Sequence, residues 1–207
     1  MNNFKNLILC SLVFSTFICC KSIVKSLNGE KRMKQETHQS IVDFAKEQNL
    51  LIDFERNFYL KNRKNNEVLA SFRSYNSQEK VSFPDVYIFD SNWFLVEDEN
   101  VACYNQKIVN DEYDYYDDFL NSPQLTLNTS KNLSDLDGEL FNKSGESIFP
   151  FQKKSTDTFY VIVLWSKYKG KMWANETNFI IQQLQDSTVD FDIYFLNMDL
   201  INFEKPY

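Results

Sequence analysis

An uninterrupted run of seven apolar residues, Phe159–Trp165, is the feature that most constrains the fold of this chain. Runs of this length and composition are typical of a strand that is buried on both faces, as in α/β sheets. Residues 171–185 follow with apolar side chains at helical spacing, and residues 191–196 form a second strand-like run. Because such crossovers are right-handed, the β-α-β unit predicts two parallel strands that are neighbours or near-neighbours.

The first half of the folded body is predicted to contain two helices and two hairpins. A helix is expected over about 37–49, where residues 40–43 (SIVD) resemble a capping box. Alternating apolar residues and turn signals predict two hairpins, and an acidic first turn followed by apolar residues predicts a further helix. The first hairpin is expected at 52–60 with 67–75 and the second at 85–96. The further helix is expected at 111–120.

Composition excludes several classes of function. The four glycines match neither a phosphate-binding loop nor a dinucleotide fingerprint, and a single histidine, His38, argues against a histidine triad or a poly-histidine metal site. A net charge of −7 disfavours nucleic acid as a partner. The sequence therefore assigns no catalytic residue, metal or cofactor.

The N-terminal segment predicts export. Lys5 precedes an apolar run of 12 residues, 7–18, which is too short to span a bilayer as a stable helix but suits a signal peptide. The run ends at Cys19 and Cys20 and resembles the lipobox of bacterial lipoproteins, in which a cysteine receives a diacylglycerol and becomes the new N-terminus. The resemblance implies lipid attachment at Cys20, with Cys19 as the runner-up. An ordinary cleaved signal peptide and a retained signal anchor remain the alternatives.

These features give an expected organisation. A lipoprotein of this kind lies in the bacterial cell envelope, on the periplasmic face or the cell surface, and its partners are the membrane through the anchor and an unknown protein. Cys103 would be the one free thiol of the mature chain, so no internal disulfide is expected. The segments are a signal peptide at 1–19, a polar and basic tether at 20–36, and a single domain at 37–207, whose halves are 37–125 and the β-α-β half 126–207.

Residues 164–172 (LWSKYKGKM) resemble the strand-to-helix junction of thioredoxin-type proteins, where a Trp precedes the sequence Cys-Gly-Pro-Cys. Trp165 matches the family's Trp and Gly170 its Gly, whereas Lys169 and Met172 stand where the two cysteines would be. The family's attacking group is a thiolate at the helix N-terminus. The resemblance, which covers about residues 130–199, thus implies a thioredoxin-like α/β fold that has lost disulfide exchange.

The order of elements departs from that family. A hairpin preceded by a proline, and a final helix, would follow the β-α-β unit. Here they lie upstream, with Pro84 at the position of the family's cis-proline, the hairpin at 85–96 and the helix at 111–120. The expected fold is a mixed sheet flanked by helices in a permuted order, and the alternative is two unrelated α/β layers that share a core.

Three functions remain open at this point. The first is a lipid-anchored binding or scaffold module without catalysis, which the missing cysteine pair favours. The second is a redox protein that uses Cys103 with an external thiol. The third is a carboxylate-based hydrolase that draws on the five acids between Asp111 and Asp118.

Overall fold

A mixed α/β architecture is formed by the residues that the computed structural model describes, namely 34–60, 85–98, 125–154 and 157–201. Their two helices are α1 (His38–Glu47) and α2 (Lys171–Asp186). Their strands are β1 (Gln35–Glu36), β2 (Asn57–Leu60), β3 (Asp85–Phe89), β4 (Phe94–Asp98), β5 (Leu125–Asn132), β6 (Leu140–Phe141), β7 (Phe159–Trp165), β8 (Phe191–Asn197) and β9 (Leu200–Ile201). Seven of these strands form one curled sheet in the order β5-β4-β3-β7-β8-β2-β6, and β1 pairs with β9.

Strand β7 is the centre of the sheet, as its apolar run predicts. It pairs in parallel with β8 along its whole length, from Phe159 opposite Phe191 to Trp165 opposite Asn197. On its other side it pairs antiparallel with β3. The prediction of adjacent parallel strands joined by a helix is therefore confirmed.

Alternate side chains of β7 enter two separate cores. Val161, Val163 and Trp165 lie on the face that α1 and α2 cover. The intervening residues of the strand, among them Ile162 and Leu164, lie on the opposite face. A strand whose successive side chains point to opposite faces needs apolar residues at every position when both faces are buried, and this explains the uninterrupted run.

Short apolar stripes on α1 and α2 cover one face of the sheet. Helix α1 buries Ile41 and Ala45, four residues apart, and α2 buries Ile180, Ile181 and Leu184. Full burial of an Ile or Leu side chain contributes about 1.5–3 kcal/mol, so these contacts hold both helices on the sheet.

Both described helices lie on the same face, whereas the sequence predicts a sheet flanked by helices. The opposite face is covered, within the described residues, by the non-helical segment that contains Leu133, Leu136 and Phe151. A 3-10 turn, Leu133–Leu136, is fixed by a capping box between Asn132 and Asp135. Two fully buried leucines in one short turn place it firmly on the sheet.

The hairpin predicted at 85–96 is present as β3 and β4. Asp90 closes it, because its carboxylate accepts hydrogen bonds from the backbone N–H groups of Asn92 and Phe94. Trp93 in the turn has a positive φ of 73°. The strand predicted at 67–75 and the helix predicted at 111–120 lie outside the described residues.

Two local predictions in the first half were wrong in detail. The N-cap of α1 is Thr37, whose hydroxyl accepts from Ser40 N, whereas the Ser40 hydroxyl donates to Glu36 and to the Thr37 carbonyl. Ser40 therefore lies in the first turn of the helix and cannot cap it. The strand expected over 52–60 is shorter, because residues 54–56 form a 3-10 turn capped by Asp53.

Candidate functional site

The junction between β7 and α2 is the part of the molecule that carries the predicted site residues. After Trp165 the chain makes a 3-10 turn, Lys167–Lys169, and α2 begins at Lys171. Gly170 joins the two with φ 82° and ψ −168°, a backbone conformation that is essentially restricted to glycine. The junction lies at the carboxyl ends of parallel strands, where ligands bind in open α/β sheets.

Asp199, which follows β8, holds this junction in place. Its buried carboxylate accepts hydrogen bonds from Ser166 Oγ (2.7 Å), from the backbone N of Lys167 (2.7 Å) and from the backbone N of Tyr168 (3.2 Å). Asn197 Nδ2 donates to the same carboxylate at 3.1 Å. These four donors engage both carboxylate oxygens, so Asp199 fixes the turn.

Lys169 and Met172 lie at the surface of the junction. The ammonium of Lys169 lies 5.6 Å from the ring centre of Tyr168 and 5.3 Å from that of Trp173. Met172 is 38% exposed in the first turn of α2. A lysine held over two rings by cation–π contacts supplies positive charge beside an apolar surface, and neither side chain can exchange a disulfide.

A buried ion pair connects this junction to the start of α1. Lys167 Nζ lies 2.8 Å from Glu36 Oε2, and Lys34 Nζ lies 3.8 Å from Glu36 Oε1. Ser40 donates a third contact to Glu36 at 2.6 Å. Burial raises the pKa of Glu36, but these partners outweigh it and the pKa lies below its usual value. The carboxylate therefore stays ionised and joins the first described residues to the turn.

His38 and Tyr59 form a second polar contact next to α1. Their side chains lie 2.7 Å apart, Nδ1 to the hydroxyl, and Tyr59 is fully buried. Burial lowers the pKa of His38, with the positive charge of Lys143 adding to it. Burial raises the pKa of Tyr59, and the negative charge of Asp199 raises it further. The Asn57 side chain lowers this pKa, although its Nδ2 makes no well-formed hydrogen bond. At neutral pH this is an uncharged pair, which suits a structural contact.

Asp192, on the opposite side of the sheet, is a buried carboxylate with two cationic neighbours. Its side chain is 1% exposed and forms ion pairs with Arg56 and Lys154. Tyr194 donates a further hydrogen bond at 2.9 Å. Burial raises the pKa of Asp192, but these donors outweigh it and lower the pKa overall. With its oxygens already occupied, the group stabilises the fold and offers no free base.

The described residues contain no group of three His, Cys, Asp or Glu side chains placed to hold a metal ion. Within the same ranges, no helix has the length and apolar character needed to cross a bilayer. A cavity of about 10 Å³ lined by apolar residues including Phe58, Phe151 and Leu196 borders the core on the face of the sheet opposite the helices. A space of that size holds at most one water molecule, so it is not a substrate pocket.

Several predicted site residues cannot be placed. Cys19 and Cys20, Pro84, Cys103 and the acidic stretch 111–118 all lie outside the described residues. Of the predicted site residues, the structure thus positions Lys169 and Met172, and it brings them to one surface.

Two buried carboxylates, one beside the junction and one on the opposite face of the sheet, were missed from the sequence. Glu36 lies in a segment predicted to be a tether, and Asp192 lies inside a predicted strand. A charged residue within an apolar strand is itself a signal of a buried ion pair, and this signal was available at Asp192. Comparison with family models, with curated proteins and with solved structures finds no match for this chain.

Proposed function

We propose that this chain is a lipid-anchored protein of the bacterial cell envelope, with a redox-inactive, thioredoxin-like module that acts in binding or as a scaffold. The observation that carries the proposal is the chemistry at the β7–α2 junction. A lysine held over two rings and a partly exposed methionine occupy the positions that the resemblance gives to the cysteine pair. A site built in this way offers contact surface and charge but no thiol.

The arrangement of the sheet supports the thioredoxin-like interpretation. The hairpin β3–β4 lies on one side of β7, and the parallel strands β8 and β2 lie on the other. This is the arrangement expected of a permuted order, in which an earlier part of the chain contributes the hairpin that the family has after its β-α-β unit. The polar cluster around Asp199 also keeps the strand-to-helix turn rigid without a disulfide.

A pair of engineered cysteines tests the resemblance. In the variant with Lys169→Cys and Met172→Cys, we expect an intramolecular disulfide and a gain of activity in reducing a disulfide-bonded test protein. The matched control is Gln182→Cys with Gln185→Cys, which has the same spacing at the other end of α2 and should gain no activity. An inactive 169/172 pair that forms no disulfide in a folded protein would contradict the thioredoxin-like interpretation.

The unmodified chain tests the loss of redox function. We expect no disulfide reduction above background. Activity that disappears in a Cys103→Ser variant would instead establish the lone thiol as a redox group and would overturn the binding role.

Intact mass spectrometry tests the anchor. We expect a chain that begins at Cys20 and carries acyl groups, with acylation lost in Cys20→Ser and kept in Cys19→Ser. An unacylated mature chain would refute the anchor.

Photo-crosslinking tests for a protein partner. Leu51 (45% exposed) and Leu127 (52% exposed) are the most exposed large apolar side chains of the described residues. A photoreactive residue at one of them should give a discrete protein adduct in native membranes, and the same residue at exposed Gln185 should not. Absence of adducts at both leucines would count against a protein-binding role.

A further inference from the structure

The point where the chain enters the folded body lies beside the β7–α2 junction. Gln35 in β1 pairs with Leu200 in β9, directly after Asp199. Asp199 in turn holds the backbone of Lys167 and Tyr168. Glu36 contacts both Lys34 and Lys167. The segment that precedes residue 34 therefore leaves the domain at the end that carries the lysine turn.

This end is positively charged on an acidic protein. Lys167, Lys169 and Lys171 fall within five residues, and residues 166–175 contain no acid, although the whole chain has a net charge of −7. Of the acids near the turn, Glu36 is shared by two lysines and Asp199 is buried, and the next acid along α2 is Glu176, five residues beyond Lys171. Positive charge from Lys171, which is exposed, and from Lys34, whose side chain is 70% exposed, is thus available at the surface.

The same surface contains apolar and aromatic groups. Met172 is 38% exposed, and the rings of Tyr168 and Trp173 lie beneath the Lys169 ammonium. The indole N–H of Trp173 is buried and has no hydrogen-bond partner among the described residues. Aromatic rings and lysines that combine an apolar stem with a charged tip are the residues enriched at the boundary between headgroups and acyl chains.

We propose that this end of the domain, defined by Lys34, Lys169, Lys171, Met172 and Trp173, docks on the anionic headgroups of the bilayer that holds the lipid anchor. The proposal rests on the anchor proposed above and adds an orientation to it. Charge complementarity favours an anionic lipid surface, since each lysine near such a surface contributes about 1 kcal/mol. The occupant is thus the membrane itself, and a protein partner would bind elsewhere on the domain.

The length of chain before Lys34 keeps the domain close to the bilayer. Fourteen residues, 20–33, separate the domain from the acylated end at Cys20. Even fully extended they reach no more than about 50 Å, so the domain stays at a high effective concentration at the surface. Because the chain enters the domain beside the lysine turn, that end of the domain is the one nearest the anchor along the chain.

Quenching of Trp173 by the membrane tests the proposal on the full acylated chain. The protein is reconstituted in vesicles of phosphatidylcholine alone or with phosphatidylglycerol, each containing brominated acyl chains that quench tryptophan on contact. We expect quenching in the anionic vesicles at low salt and its loss at high salt, because screening removes the attraction. Trp173→Phe should abolish the quenching, and Trp93→Phe should keep it.

A charge variant tests the contact without altering the aromatic groups. Lys171→Gln should weaken docking by about fivefold, as expected for one lysine at an anionic surface. The control is Lys46→Gln, an exposed lysine eight residues beyond the start of α1 and about 12 Å along its axis. Equal effects of the two variants would contradict a specific surface.

The outcomes for the anchor and for the docking surface are distinguishable. An acylated, vesicle-bound chain whose Trp173 is not quenched overturns the docking and leaves the anchor intact. A chain without acyl groups that still binds anionic vesicles with quenching of Trp173 supports the docking and refutes the anchor. A chain that is neither acylated nor bound overturns both.

Discussion

The indole N–H of Trp165 donates a hydrogen bond of 2.8 Å to Oδ1 of Asn57, which lies 108 residues earlier in the chain. Both side chains are buried, at 1% and 2% exposure. The contact joins the last residue of β7 to the first residue of β2, two strands that are separated in the sheet by β8. It therefore links the two halves of the chain within the core that the two helices cover.

Trp165→Phe is expected to destabilise the protein by about 2–4 kcal/mol, because it leaves Asn57 Oδ1 unpaired and opens space in the core. Urea unfolding measures the change. In the double variant with Asn57→Leu, the penalty of the unpaired amide disappears, so the combined loss should be smaller than the sum of the single losses by about 1 kcal/mol. Strict additivity would show that the hydrogen bond contributes nothing.

Asp192→Asn is expected to cost about 1–3 kcal/mol at neutral pH. Loss of one partner from a buried ion pair is more costly in general, but Arg56 and Lys154 are 42% and 47% exposed, so water stabilises them in the variant. Unfolding in urea checks the value, and Asp186→Asn, an exposed position on α2, is the control.

The same variant has a predicted pH profile. The pKa of Asp192 is lower in the folded state than the ordinary 3.8, so its contribution is present above about pH 5 and is lost as the pH falls through 3.8 and below. The wild-type protein should therefore lose more stability than Asp192→Asn between pH 5 and pH 2.5. The pKa of Glu36 is lowered as well, so Asp192→Asn should still lose some stability in this range, although less than the wild-type protein.

The central β-α-β unit was predictable because its signals are local. Seven consecutive apolar residues need two buried faces, and the spacing of Ile180 and Leu184 gives the buried side of α2. The position of the cap of α1 was not predictable in the same way, since Thr37, Ser40 and Glu36 all offer polar side chains. The Ser40 hydroxyl donates instead to Glu36, which pairs with Lys167, 131 residues farther along the chain, and no local pattern reveals that contact.

The candidate site was only partly predictable for the same reason. A resemblance over residues 164–172 identifies the turn and the residues Lys169 and Met172. The role of Asp199 depends on how β8 lies beside β7, because its hydrogen bonds cross to a turn 31–33 residues earlier. Sheet register, rather than sequence spacing, brings these groups together.

His38 predicts a second pH dependence in a separate window. Burial keeps its folded-state pKa below the ordinary 6.5, so the unfolded chain takes up a proton first as the pH falls. The contribution of His38 is complete well above pH 6.5 and is lost as the pH falls through that value. Between pH 8 and pH 5.5 the wild-type protein should lose stability, and His38→Gln should not. An equal decline in both proteins would contradict the assignment to His38.

Asp199→Asn is expected to loosen the turn between β7 and α2. In this variant an NH2 group, which cannot accept, replaces one carboxylate oxygen. The Lys167 N–H bonds one oxygen, whereas the Tyr168 N–H and Ser166 Oγ bond the other, so at least one donor loses its partner. Loss of a buried partner costs about 1–3 kcal/mol, which corresponds to roughly tenfold faster hydrogen exchange or more at whichever of the two backbone amides loses its acceptor. Ser166→Ala is the control, because it removes one hydroxyl and keeps both backbone hydrogen bonds. Unchanged exchange at both amides in Asp199→Asn would show that the turn is held by its own backbone rather than by Asp199.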